Sequence, residues 1–206
     1  MKRTAIILLT LISSVPAFAQ LAFNPQVGIS VARLQSLESE EKGKARVGWL
    51  AGADFRIGRR FYIQPGIFYW NTSTAYINDS LQLDTRFNRT DLKLNGRIGV
   101  NIMDDENAKF RFSVGPSYNI LLSNSAKKDS LSKTTISELE KNFNNGLFNI
   151  DAAFGIDFWL LTVEAGYSLS LSDAWKDLDY YKSNARYGTF YLNVGIVLGN
   201  ATSSKR

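Results

Sequence analysis

The chain of 206 residues contains no cysteine and no histidine, and only two methionines and four prolines. Without cysteine there is no disulfide framework and no thiolate to bind a metal or attack a carbonyl. Without histidine the commonest general base and the imidazole metal ligands are missing. The chemistry left is that of carboxylates, Lys, Tyr and Ser/Thr. Charge is also modest, at 21% of residues, beside 45% hydrophobic and 13% aromatic residues, with 13 Phe, 9 Tyr and 15 Gly. Disordered chains show the opposite balance, with low hydrophobicity, high net charge and few aromatics. The composition is that of a folded, strand-favouring chain.

The first residues read as an export signal. Lys2 and Arg3 form a basic start, Ala5 to Val15 an apolar stretch, and Ala17-Phe18-Ala19 a small-x-small cleavage site, which predicts a signal peptide over residues 1–19. The apolar stretch is shorter than the roughly 20 residues a membrane-spanning helix needs. No cysteine follows the cleavage site, which excludes lipoprotein processing. Removing Lys2 and Arg3 takes Lys+Arg from 24 to 22 against 19 Asp+Glu, so the formal charge falls from +5 to +3. With no Lys/Arg cluster left, no nucleic-acid partner is expected. An exported chain without cysteine must either build a core large enough to need no staples or close a sheet on itself.

From Phe23 onward the sequence alternates with period two, the signature of strands. Val47–Ile57 puts Val, Trp, Ala, Ala, Phe and Ile on one face and Gly, Leu, Gly, Asp and Arg on the other. The pattern recurs over Gln26–Leu34, Phe61–Trp70, Thr90–Ile102, Phe110–Leu122, Leu147–Phe158, Leu161–Leu171 and Tyr187–Leu198. Segments of this length match the roughly 9–11 residues a tilted strand needs to cross a bilayer and exceed the usual globular strand of about 5–6. The connectors alternate between long (Gln35–Arg46, Asn71–Arg89, Ser123–Gly146, Ser172–Arg186) and short (Gly58-Arg59-Arg60, Met103–Lys109, Trp159-Leu160). Short periplasmic turns and long extracellular loops are the layout of bacterial outer-membrane barrels. The expected fold is therefore all-β: an eight-stranded antiparallel transmembrane β-barrel over residues 20–199, with a short periplasmic tail at residues 200–206.

The two faces decide what meets lipid. One set, including Leu92, Leu94, Ile98, Phe112, Ile150, Phe154, Phe190 and Leu192, holds essentially no charge; Arg33, near a strand end, is the one charge on that parity within a strand and is placed to snorkel. The other set carries Asp54, Asp91, Asp151, Asp157 and Glu164 with Arg56, Lys93, Arg97 and Arg111, among Gly, Ser and Asn. A soluble barrel would have to turn that Gly/Ser/Asn face to water, where Lys and Glu normally dominate. On the lipid face an Arg or Lys at mid-depth would cost about 2–4 kcal/mol, so the charged set belongs in the lumen. Phe55, Phe61, Phe110, Phe158 and Trp159 fall near the short turns, and Trp49, Tyr69, Tyr118 and Tyr167 nearer the long loops. Two such belts are what interfacial anchoring predicts.

Several strands resemble a known family. Tyr62-Ile63-Gln64-Pro65-Gly66-Ile67-Phe68-Tyr69 resembles the "LQPELLY" strand of the PorT-like outer-membrane β-barrel family, and Ser113-Val114-Gly115-Pro116-Ser117-Tyr118 with Leu121-Leu122-Ser123 resembles its "GPYxGYLLS" strand. Val27-Gly28-Ile29-Ser30 and Val163-Glu164-Ala165-Gly166-Tyr167-Ser168-Leu169 fit the same pattern. The resemblance implies an outer-membrane location and no catalytic motif. It also implies a link to protein secretion, in which the name-giving member takes part.

Eight strands enclose an interior just filled by side chains, so the nine inward charges are expected to form a polar plug and not an aqueous channel. Catalysis is not expected, because enzymatic outer-membrane barrels generally pair Ser with His. No cofactor or metal is expected. The expected partners are outer-membrane lipid, lipopolysaccharide, and another envelope or secretion protein met through the loops; a small solute-conducting barrel and an adhesin-like surface protein are the alternatives. Trp175, Tyr180 and Tyr181 combine aromatics with charge, as interfaces do. Ile136, Leu139 and Phe143 recur at helical spacing. Asp79-Ser80-Leu81 and Asp129-Ser130-Leu131 resemble O-glycosylation acceptors at Ser80 and Ser130.

Overall fold

The period-two segments form long antiparallel strands in a computed structural model that describes residues 21–35, 42–78, 83–104, 108–128, 144–174 and 186–199. Residues 1–19 and 200–206, assigned above to a signal peptide and a tail, lie outside these. The strands are β1 (Leu21–Gln35), β2 (Lys42–Gly58), β3 (Phe61–Asn78), β4 (Leu83–Asp104), β5 (Ala108–Lys128), β6 (Gly146–Phe158), β7 (Leu161–Ser170) and β8 (Arg186–Ile196). Each pairs with its sequence neighbour, and β1 closes the barrel. It pairs with β2 from Leu21↔Ile57 to Ala32↔Arg46 and with β8 from Gln26↔Gly195 to Gln35↔Arg186. β8 is interrupted at Val197, whose N–H donates to the Leu160 carbonyl at 2.7 Å, and resumes at Leu198–Gly199 against Phe23 and Ala22. Closure pairs the backbone between strands, the condition for crossing hydrocarbon without unsatisfied amides.

The pleat sorts the side chains inversely to a soluble protein. Phe61 is 75% and Phe190 65% exposed, whereas Arg97 is 2% and Glu164 0% exposed. A surface of Phe, Ile, Leu and Val is stable only against lipid, and a charge in so narrow an interior only when paired. Around the outside, aromatic pairs mark both rims: Trp49 stacks on Tyr69 (ring centroids 5.2 Å apart) and Tyr167 lies on Phe190 (4.6 Å), while Phe158 stacks on Trp159 (5.8 Å) at the short-turn end. Arg33 is exposed on the outer face near the end of β1.

The wall is uneven in height. β3, β4 and β5 have 18, 22 and 21 residues, against 13, 10 and 11 in β6, β7 and β8. This corrects the long loop expected over Asn71–Arg89, because β3 and β4 stay paired from Tyr69↔Leu92 to Asn78↔Leu83. Likewise β2 begins at Lys42, inside the expected Gln35–Arg46 loop, and β5 runs to Lys128, inside the expected Ser123–Gly146 loop. The physical reason is that above the membrane neither face is required to be apolar. Alternation fades there, while Thr72, Thr74 and Tyr76 keep their preference for extended backbone. From Tyr69 to Asn78 the strand climbs roughly 30 Å along its length and, at barrel tilt, about 20 Å in height.

Two local features fix the short-turn rim and the wall. The β6–β7 hairpin turns in two residues, Trp159-Leu160, with Phe158 facing Leu161 and Trp159 at φ 54°. Positive φ at a central turn position is normally filled by Gly or Asn; a bulky residue there costs on the order of 1 kcal/mol and here places an indole at the interface. At Gly115 the neighbouring strand approaches so closely that a Cβ would lie 2.2 Å from the Gly96 carbonyl oxygen and 2.7 Å from the Arg97 Cα. Backbone atoms on a paired strand cannot give way as a side-chain tip does. Gly115→Ala is expected to destabilise the barrel by about 1–3 kcal/mol, read as a lower urea midpoint in detergent micelles. An unchanged midpoint would mean that β4 and β5 part freely there.

Candidate functional site

The inward residues of β4 set the vertical order of the lumen, with Arg89 and Asp91 toward the tall rim, Lys93 below them and Arg97 deeper still. Side chains from the other strands meet them at each level. At the short-turn end, Arg111 Nη1 lies 2.6 Å from Glu164 Oε2, its Nε 3.1 Å from Asp157 Oδ1, and its Nη2 donates to Thr162 Oγ1 at 2.7 Å. Arg56 Nη1 approaches Asp157 Oδ2 to 2.5 Å, and the Thr162 hydroxyl donates to Asp157 Oδ1 at 2.6 Å. Arg97 Nη1 lies 2.8 Å from Glu164 Oε1 and 3.1 Å from the Tyr191 hydroxyl. Glu164 is therefore gripped by two guanidinium groups.

Asp54 is held mainly by neutral donors. It accepts from Gln26 Nε2 at 2.6 Å, Gln64 Nε2 at 2.8 Å and Asn24 Nδ2 at 3.3 Å, with Arg97 Nη2 at 3.8 Å and Arg56 Nε at 3.9 Å. Above this ionic layer lies an apolar one of Leu50, Phe68, Trp70, Ala153 and Tyr191, with Trp70 and Tyr191 packed edge to face at 5.4 Å. Lys93 crosses it. Its Nζ sits 4.2 Å over the Trp70 ring and reaches Asp151 Oδ1 and Ser168 Oγ, both at 3.0 Å. Nearest the tall rim, Arg89 Nε faces both Asp91 oxygens at 2.8 and 2.9 Å, and its Nη1 donates to the Asn144 carbonyl at 2.7 Å. Between Trp70, Arg89, Lys93 and Tyr187 remains a cavity of about 10 Å³, room for about one water.

All nine charges picked out in the sequence, Asp54, Arg56, Asp91, Lys93, Arg97, Arg111, Asp151, Asp157 and Glu164, are buried in this lumen and linked into ion pairs. Sequence reading missed Arg89, assigned to a loop. With it the buried set among the described residues holds five acids and five bases, which balance formally. The signal was present as Arg89-x-Asp91-x-Lys93, three charges on one parity continuing the strand upward. Asn24, Gln26 and Gln64 were also missed, because uncharged polar residues at inward positions carry little distinguishing signal. Trp175, Tyr180, Tyr181, Ile136, Leu139, Phe143, Ser80 and Ser130 lie outside the described residues.

Chemically, the arrangement is one of mutual neutralisation. Each buried carboxylate among the described residues faces a cation, and the 10 Å³ cavity lies beside Arg89, Asp91 and Lys93. Among the described residues no group of three or more His, Cys, Asp or Glu is placed to hold a metal ion.

The family model for an outer membrane protein beta-barrel domain matches residues 18–176. Comparison with curated protein sequences gives no match. Among solved structures, Ail, the attachment invasion locus protein of Yersinia pestis, is similar at 11% identity over 88% of this chain and 99% of that one, with a TM-score of 0.42. Neisserial surface protein A is similar at 13% identity over 85% and 97%, with a TM-score of 0.44. The N-terminal barrel domain of Pseudomonas aeruginosa OprF is similar at 8% identity over 84% and 97%, with a TM-score of 0.30. The family match covers more than half of the chain and agrees with a barrel that hides its charges and exposes its Phe and Ile. The chain therefore belongs to the outer membrane protein beta-barrel domain family and resides in the outer membrane.

Proposed function

We propose that the protein is a non-enzymatic structural or accessory component of an envelope or secretion assembly, and that it works through its tall rim and loops and not through its lumen. The observation that carries this reading is the interlocked lumen, in which the described residues bury five acids and five bases in ion pairs below, across and above an aromatic layer. Side chains so engaged fill the lumen and tie its described carboxylates into ion pairs. The wall of β2 to β5 supports the same reading, since strands that climb about 20 Å beyond the aromatic rim do nothing for membrane crossing. They offer surface to a partner. The likeness of Tyr62–Tyr69 and Ser113–Ser123 to PorT-like strands favours a secretion assembly among the choices. Lipopolysaccharide surrounds the rim in this reading, and Trp175, Tyr180, Tyr181, Ile136, Leu139 and Phe143 supply the loop contacts.

The test joins two measurements on the native protein. Affinity recovery from mildly solubilised membranes is expected to bring down a stoichiometric envelope complex, and planar-bilayer recording is expected to show no steady current. Recovery of the barrel alone would overturn the assembly role and leave an adhesin-like or solitary one. A reproducible single-channel current would overturn the closed lumen and favour solute conduction.

A further inference from the structure

Near the short-turn rim the outer face of the barrel is indented. An apolar groove of about 480 Å³ runs between Ile57, Phe61, Ile63, Ile98, Val100 and Phe112, a volume within the range of small-ligand sites. The register places these residues on two adjacent rungs: Ile57, Ile63 and Ile98 in line across β2, β3 and β4, and Phe61, Val100 and Phe112 in line across β3, β4 and β5. The floor depends on Gly99. A Cβ there would lie 2.2 Å from the Tyr62 ring, which passes inside β4 to bring its hydroxyl within 3.4 Å of the Phe112 carbonyl.

The groove ends at a pair of cations. Arg59 and Arg60 form the β2–β3 turn, both are exposed, and Arg60 directly precedes Phe61 in the groove wall. The turn is fixed to β4 by Asn101, whose N–H donates to the Arg60 carbonyl at 2.8 Å and whose Nδ2 donates to the Arg59 carbonyl at 2.5 Å. No described residue pairs with either guanidinium. Two anchored cations at headgroup depth, opening onto an apolar trough that points into the membrane, match a ligand with an anionic head and a hydrocarbon tail.

We propose that this groove and the Arg59-Arg60 turn bind one anionic glycerophospholipid of the adjacent leaflet, its phosphate on the two arginines and one acyl chain in the groove. Short turns of bacterial outer-membrane barrels face the periplasm, so the lipid comes from the inner, phospholipid leaflet and not from lipopolysaccharide. Each basic residue near a membrane surface is worth about five-fold in binding an anionic lipid, so the pair gives a preference of about 30-fold.

Native mass spectrometry of the full barrel in mild detergent tests this, with phosphatidylglycerol, phosphatidylcholine of the same chains, and lipid A as probes. The expected result is one retained phosphatidylglycerol per barrel and about 30-fold weaker retention of phosphatidylcholine. Arg59→Ala with Arg60→Ala should abolish the preference while leaving weak retention of both. Val100→Trp, which fills the groove, should reduce both, and Val114→Trp on the same wall replaces it if that variant does not assemble. Heat-modifiable migration confirms that each variant is folded. Equal retention of the two phospholipids, a preference that survives loss of both arginines, retention indifferent to groove filling, or capture of lipid A alone would each overturn the proposal.

Discussion

Glu164→Ala is expected to destabilise the barrel by about 3–5 kcal/mol, the cost of removing one partner from a buried ion pair. Glu164 accepts from Arg111 at 2.6 Å and lies 2.8 Å from Arg97, and it is fully buried. Its loss leaves two guanidinium groups facing a vacated site. Arg111 keeps Asp157 and Thr162, but among the described residues Arg97 keeps only the Tyr191 hydroxyl and Asp54 at 3.8 Å. Urea unfolding in micelles, followed by loss of heat-modifiable migration, measures the effect. Arg97→Met combined with Glu164→Leu should recover more than half of the loss, because replacing a buried ion pair by apolar residues of similar volume is often neutral. A loss below about 1 kcal/mol for Glu164→Ala would mean that water solvates the arginines, and the lumen would then be wet and not plugged.

The legibility of this molecule in its sequence follows the membrane. Where lipid lies outside and packed charge inside, every second residue is constrained, so Leu147 to Phe158 reads unambiguously from sequence as it does in the barrel. The nine charged lumen residues were readable for the same reason, since a charge on a lipid-facing parity is prohibitive. Above the rim the constraint ends. Asn71 to Asn78 and Leu83 to Arg89 are strands all the same, held by pairing from Thr72↔Arg89 to Asn78↔Leu83, a long-range property absent from local alternation. Arg89 was lost with them. The partners within the lumen were not legible either: that Arg56 reaches Asp157 across 101 residues, or that Lys93 lies over Trp70, depends on barrel closure and stagger. The lipid-facing groove was equally hidden, because it arises where Gly99 lets Tyr62 pass beneath β4.

The lumen is filled at successive levels by chemically different layers, and this predicts how conductance will respond to substitution. Arg56, Arg97, Arg111, Asp157 and Glu164 form the ionic layer, and Leu50, Phe68, Trp70, Ala153 and Tyr191 the apolar one. Replacing Arg97, Arg111, Asp157 and Glu164 together by Ser removes two charges of each sign, so the formal balance is kept, and the aromatic layer still blocks the lumen. Trp70→Ser with Tyr191→Ser opens the apolar layer but leaves the ionic one. Both sets are expected to be silent in planar bilayers. The six substitutions combined, with Arg89, Asp91 and Tyr187 also replaced by Ser to open the level nearest the tall rim, should turn a closed barrel into one with a steady single-channel current, because small hydroxyl side chains at all three levels leave a continuous hydrated path. Backbone closure from β1 to β8 is untouched by these changes, so the variant should still show heat-modifiable migration. Current from the ionic set alone would demote the Trp70–Tyr191 contact from seal to bystander. Silence of the combined variant would place the closure outside the lumen and remove the main support for a barrel that acts through its rim.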